Sequence, residues 1–347
     1  MPRGGSDRYR RAAEELQSWR RSGVLVADEA PSFTLYRMRF TDSTGIARDI
    51  TGVMGGLEIT DEGAGGVLPH ERTTPKASTD RLDLTRATRA NLSPVWGLSL
   101  ASGLATLLAE PGEPMGAITS DGVEHVVERV VDADRIAAIQ RVLAADDVLI
   151  ADGHHRYSVS RTHRDDVRDA TGDHDGPAEQ TLAFVNELVA DQLSVDAIHR
   201  LYADIELPTL TAALARSFTL TELGRPTADT LAAMQSEGFL VLVAGPGSWR
   251  LDPRPGRFDG VRALDGAWLE TALADVPLTV TYQHGLSAAL AEVEAGRATA
   301  AVLIRPVSVG EIERTAREGL LMPPKSTFFT PKLKTGFVIR LLEDSRA

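Results

Sequence analysis

The sequence has no cysteine among its 347 residues. That absence removes disulfides, thiolate metal sites and cysteine nucleophiles together, and it agrees with a cytosolic protein. Long apolar runs are also missing. None approaches the ~18 residues of a membrane span, and the basic start MPRGGSDRYRR lacks the apolar stretch of a signal peptide. Positive charge is outweighed by negative, 37 Lys and Arg against 49 Asp and Glu, for a net charge of -12. An acidic chain of this kind is disfavoured as a sequence-independent nucleic-acid binder, because phosphate backbones reward basic surfaces. A small anion held in a local basic pocket stays open. Heptads, low-complexity tracts and internal repeats are absent.

Several catalytic signatures are absent too. No HExxH and no GxSxG occurs. TGVMGG (51–56) is not a GxGxxG between a strand and a helix, so a Rossmann dinucleotide site is unsupported. Lys325, Ser326 and Thr327 imitate the end of a P-loop, but Pro323 and Pro324 precede them. Proline has no N–H to cradle a phosphate, and no strand leads in.

What is present reads as a globular chain with enough length for two or three cores. Apolar residues make up 43% and charged residues 25%. Residues 8–22 predict an amphipathic helix with Ala12, Leu16 and Trp19 on one face. FTLYRMRFTD alternates as a half-buried strand does, and ARDITGVMGGLEI predicts a second strand interrupted by glycines. STDRLDLTRATRAN (78–91) predicts a helix, SPVWGLSLA and GVEHVVERVV predict strands, and DADRIAAIQRVLAADD predicts a helix leading into VLIAD. Beyond residue 205, strand-like and helix-like segments alternate to the end. The expected fold class is mixed α/β, with regions 1–60, 61–204 and 205–347.

Chemistry concentrates at VLIADGHHRYSVSRTHR (148–164). If Val148–Ala151 form a buried strand, Asp152 stands at its C-terminal end, where α/β sheets tend to bind ligands. Gly153 to Arg156 are then expected to turn into a helix beginning near Tyr157. A helix N-terminus offers free N–H groups and partial positive charge to phosphates. Arg156 adds a two-pronged anion clamp, His154 and His155 add donors, and Asp152 is a candidate ligand for Mg²⁺. His154, His155 and His163 do not make a convincing zinc set, because adjacent residues at a helix start point different ways. In GVLPHERTTPKASTDR, Glu71 after His70 is a candidate general base toward a hydroxyl. In GLLMPPKSTFFTPKLKTG, Lys325, Lys332 and Lys334, with the more remote Lys76, stand beside Phe328 and Phe329 as a possible wall of an anionic pocket.

IADGHHRY closely resembles the hallmark of a widespread prokaryotic family, domain of unknown function 1015. LPHERTTPKASTDRL, AIHRLY and MPPKSTFFTPKLKTG resemble further segments of that family in the same order, over nearly the whole chain. The strand–loop–helix also resembles the ParB and sulfiredoxin-like superfamily, which places a G-x-x-R turn on nucleotide phosphates. Sulfiredoxin chemistry needs a cysteine where this chain has His154, and a ParB clamp needs a basic helix-turn-helix domain that the following residues do not suggest. The free serine kinases remain. Their D-G-H-x-R motif matches Asp152, Gly153, His154 and Arg156, and their catalytic glutamate after a histidine matches Glu71. The family usually carries a further N-terminal segment, with a Pro-Tyr-Asp element, ahead of the helix that here begins near Tyr9, so this chain is expected to start late.

The resemblance therefore implies a ParB/sulfiredoxin-like nucleotide-binding core with a second C-terminal α/β unit. The function expected is that of a nucleotide-dependent small-molecule kinase using ATP or ADP (CTP as the alternative) with Mg²⁺. Glu71, Asp152 and His155 would be catalytic. Gly153, His154, His155, Arg156, Lys325, Ser326 and Thr327 would bind the nucleotide. Two rival readings are a nucleotide-sensing protein without turnover and a metal-dependent phosphoester hydrolase with His154 and His155 as ligands.

Overall fold

The alternation in FTLYRMRFT forms a strand in the computed structural model, which describes residues 5–69 and 78–343. Its centre is covered on both sides rather than half-buried. Leu35, Tyr36, Arg37 and Met38 are all buried, and Arg37 is tolerated because Glu128, Thr51 and the Leu108 carbonyl accept from its guanidinium.

The chain divides into two compact units. One comprises Met1–Ser194, Ala316–Leu320 and Pro331–Ala347, the other Val195–Thr315 and Leu321–Thr330. The first holds, in chain order, α1 (Gly5–Arg21), β1 (Phe33–Thr41), β2 (Ala47–Glu58), β3 (Val67–Pro69), α2 (Ser78–Thr88), β4 (Ala90–Asn91), β5 (Val95–Ser99), α3 (Leu104–Ala109), β6 (Glu113–Ser120), β7 (Val123–Val130), α4 (Ala133–Leu143), β8 (Val148–Asp152), α5 (His154–Thr171) and β9 (Gln180–Glu187). Eight strands make one mixed sheet in the order β3-β8-β5-β9-β2-β1-β7-β6, so strands before and after residue 60 share it. On one face Leu35, Val53, Val148, Ile150 and Val185 pack with Leu104 and Leu108 of α3, Ile139 of α4 and Tyr157 of α5. On the other, Trp96, Phe184 and Tyr36 follow one another edge to face, and Phe337 meets Tyr36 at a 5.3 Å ring separation.

Helix α2 ends earlier than its pattern predicts. Arg89 takes a left-handed φ of 45°, and Ala90–Asn91 pair with the late strand Arg340–Leu341. Tertiary pairing overrides local helix propensity there.

The second unit holds β10 (Val195–Asp196), β11 (Ile198–Ala203), α6 (Leu207–Ala215), β12 (Phe218–Leu223), α7 (Ala228–Glu237), β13 (Leu240–Ala244), β14 (Gly247–Pro253), α8 (Asp265–Ala272), β15 (Thr279–His284), α9 (Leu286–Glu294), β16 (Ala300–Leu303) and β17 (Phe328–Phe329), with α10 (Val309–Arg317) spanning its boundary. Its six-stranded sheet runs β12-β14-β13-β16-β11-β15, with every neighbouring pair antiparallel. Two apolar layers cover it, one centred on Leu210, Leu214 and Leu269, the other on Met234, Ala289 and Leu290. No helix among the described residues is long and apolar enough to cross a membrane.

Candidate functional site

β8 is apolar because it is interior to its sheet. It pairs parallel with β3 and antiparallel with β5, and Val148 to Ala151 are buried. The register against β5 shifts at its end. Trp96 faces Asp152 while Gly97 faces Ile150, which leaves Ala151 without a partner. A bulge of this kind re-aims the next side chain, and that side chain is Asp152.

Gly153 follows with φ 95°, a left-handed conformation. α5 then starts at His154, three residues before the position expected from the sequence. His154, His155 and Arg156 are thus first-turn residues of an 18-residue helix, where backbone N–H groups lack intrahelical partners. The helix is anchored behind them. The Thr60 amide donates to the Tyr157 hydroxyl at 2.9 Å, and the buried Arg164 donates to the Ile59 carbonyl at 2.7 Å.

Arg156 folds back on the strand end. Its Nη2 donates to Asp152 Oδ2 at 2.5 Å, and its Nη1 donates to the Pro94 carbonyl. The guanidinium lies where a Cβ on Gly153 would be, 2.9–3.0 Å from that position. Gly153 is therefore required twice, for its backbone angle and for the space it leaves. The other carboxylate oxygen of Asp152 accepts from Lys332 Nζ at 2.9 Å. Side-chain exposures of 34% for Asp152, 22% for Arg156 and 48% for Lys332 grade the cluster from half-buried to open. Burial pushes the Asp152 carboxyl up, but Lys332, Arg156 and His154 together outweigh it and hold it below the usual value. Burial draws the Arg156 guanidinium down, with Arg81 acting in the same direction and Asp152 against it. One carboxylate thus stands among Arg156, Lys332 and His154.

The expected Mg²⁺ role of Asp152 does not fit this arrangement. Both carboxylate oxygens already hold cations, and among the described residues no three His, Asp or Glu side chains gather as a metal-binding group. Glu71, His70 and Lys76 lie outside the described residues.

Lys325, Ser326 and Thr327 belong to the second unit. The Ser326 hydroxyl is buried and donates to the Pro323 carbonyl at 2.8 Å, closing a turn. Lys325 has φ 60°, and its carbonyl accepts from Arg200 at 2.9 Å. Thr327 is half-buried beside Phe328, whose ring stacks on His284 at 4.4 Å. Within that unit, the H-R and K-S-T segments of the sequence meet through Arg200.

Lys332 was legible only as one of several lysines. Nothing local ties it to Asp152, 180 residues earlier in the chain. Two clefts of about 890 and 870 Å³ lie elsewhere, one beside Arg216 and Arg257 in the second unit, one beside Tyr9 and Arg86 in the first.

A family described as "Protein of unknown function (DUF1015)" matches residues 2–267. No curated protein matches the sequence. Similar solved structures include a conserved hypothetical protein from Pyrococcus furiosus, 12% identical, covering 80% of this chain and 90% of that one with a TM-score of 0.42. A mutant free serine kinase in complex with AMP is 12% identical over 80% of this chain and 87% of that one, with a TM-score of 0.44. SbnI with a C-terminal truncation, from Staphylococcus aureus, is 11% identical over 80% and 82%, with a TM-score of 0.42.

Proposed function

The chain belongs to the DUF1015 family of proteins of unknown function, and from its own site we propose that it is a nucleotide-dependent small-molecule kinase acting on the hydroxyl of free serine or a similar metabolite. The observation that carries the reading is the Asp152–Arg156–Lys332 cluster at the first turn of α5. Two cations are held beside the first-turn backbone amides of α5, at a helix end of partial positive charge. Such a place favours a polyanion, and groups positioned before the ligand arrives cost little to reorganise.

Roles follow from position. The amides after Gly153 take phosphate oxygens. Arg156, held by Asp152 and the Pro94 carbonyl, presents a guanidinium of fixed orientation. Lys332, the most exposed member, exchanges Asp152 for a phosphate oxygen. Asp152 acts as the tether of both cations rather than as a metal ligand. His154 and His155 stand in the same turn as further donors. The terminal phosphoryl group leaves its nucleotide oxygen and bonds to the acceptor oxygen, whose proton passes to Glu71. The choice of serine and of Glu71 rests on the motif resemblance; the anion site rests on the geometry. Phosphoryl transfer of this kind depends mainly on positioning and charge stabilisation.

Thermal-shift titration with ATP, ADP and CTP, with and without Mg²⁺, tests the site. Nucleotide is expected to raise the melting temperature of the wild type and not of Arg156→Ala. Glu71→Gln is expected to bind normally and to make no phosphoserine. If no nucleotide stabilises the wild type, the reading fails; if Glu71→Gln turns over normally, another group is the base.

A further inference from the structure

The edge of a sheet presents a row of unpaired N–H and C=O groups, which proteins usually blunt with a short strand, a proline, a charge or a bulge. The two main sheets have four edge strands. β3 is three residues long and ends on Pro69. β6 carries Pro114, and its register against β7 shifts between Pro114 and Gly116. β12 carries the exposed Glu222. β15 has none of these devices. TVTYQH contains no proline, lysine or acidic residue, and it pairs with β11 without a break from Thr279 opposite Ala203 to His284 opposite Ile198. Every residue but Gln283 is exposed, including Val280 at 37% and Tyr282 at 40%.

The strand is also complementary to itself. A two-fold axis perpendicular to a sheet keeps each side chain on its own face. Because side chains alternate along a strand, such an axis pairs only residues an even number of positions apart. Centred on Thr281, it sets Val280 opposite Tyr282 twice, Thr279 opposite Gln283 twice, and Thr281 opposite its own copy. β-Branched with aromatic and threonine with threonine are favourable cross-strand pairs, each worth roughly 0.2–1 kcal/mol. No like charges meet, although each copy carries a net charge of -12. We propose that the β15 edges of two copies of this chain pair antiparallel about Thr281, making one continuous sheet from two. The occupant of this edge is a second copy, and the second unit is the dimerisation module.

The absence of native cysteine makes the register directly testable. Thr281→Cys gives the full chain a single thiol, placed by the two-fold at the ~4.5–5.5 Å Cα separation of opposed residues, within disulfide reach. Mild oxidation is expected to convert Thr281→Cys to a linked dimer on a non-reducing gel. Met115→Cys, on the exposed β6 edge, is expected to remain a single chain in the same conditions. By sedimentation the wild type is expected at twice 37.3 kDa and Tyr282→Lys at 37.3 kDa. A wild type that sediments as one chain at high concentration, or a Thr281→Cys protein that links no better than Met115→Cys, overturns the proposal. The crosslinking comparison stands even if Tyr282→Lys does not fold.

Discussion

Asp152 holds two cations at once, and its carboxyl lies below 3.8 because Lys332 and Arg156 outweigh its burial. A carboxyl lowered in the folded state contributes stability that is full above its unfolded value and is lost as pH falls through the folded one. The Asp152 contribution is therefore complete above about pH 4 and disappears in stronger acid. Lys332→Met removes the largest opposing influence, so its acid-unfolding midpoint is expected at higher pH than the wild type's, read by circular dichroism. Gly153→Ala is expected to cost about 1–2 kcal/mol for a left-handed backbone, in denaturant titrations, and to weaken nucleotide binding as Arg156 is displaced. Arg156→Lys should not restore binding, because one ammonium cannot reproduce a planar fork that holds Asp152 and the Pro94 carbonyl together. His199 gives a second pH signature. Burial, with Arg200 adding to it, lowers its imidazole to about 4, and its Nδ1 accepts from the Ile304 amide, as only an imidazole with that nitrogen unprotonated can. Its contribution is full above about pH 6.5 and is lost as pH falls toward 4, on the order of 3 kcal/mol across that window. In His199→Gln the pH dependence of stability between 4 and 6.5 should be shallower by that amount.

At the scale of elements, the glycines of β2 show why a strand that looks weak in sequence is a good strand in place. A Cβ on Gly52 would come within 2.3–2.9 Å of the buried Phe184 ring. The glycine is the seat of an aromatic side chain on the neighbouring strand β9, opposite Met54 rather than Gly52 itself. Gly52→Ala is expected to lower stability by about 1–3 kcal/mol through overpacking, checked by the denaturation midpoint. The β8–α5 junction was legible from VLIADGHHR: the apolar run, its end at Asp152 and the glycine all stand where expected. The onset of α5 at His154 was less so, since a left-handed Gly153 and a bulge at Ala151 are set by pairing with β5. That shift moved both histidines and Arg156 from a loop onto the first helical turn.

Over the whole molecule, the chain passes between its two units at 194–195, 315–316, 320–321 and 330–331. A partition read from sequence is contiguous by construction and cannot show such returns. The last return places residues 331–342 along the first unit. Lys332 reaches Asp152, Lys334 reaches Asp121 and Ser120, Phe337 lies on Tyr36, and Arg340–Leu341 pair with β4. A chain ending at Thr330 is expected to lose stability in the first unit. Hydrogen exchange should show reduced protection in β1, β7 and β9, whose Tyr36, His125 and Phe184 pack on that side.

Local sequence was enough to read the mixed α/β class, the run of alternating elements, the family and the place where a strand ends at Asp152 ahead of Gly153 and Arg156. These are consequences of local periodicity, of glycine's freedom and of charge concentrated in a short stretch. Long-range packing sets the rest: Arg156 turns back onto Asp152, Lys332 joins them from the far end of the chain, the Ser326 hydroxyl meets the Pro323 carbonyl, and β15 is left as an unguarded edge. Each of those depends on which distant segments lie side by side, and pairing across long separations leaves no trace in the spacing of neighbouring residues.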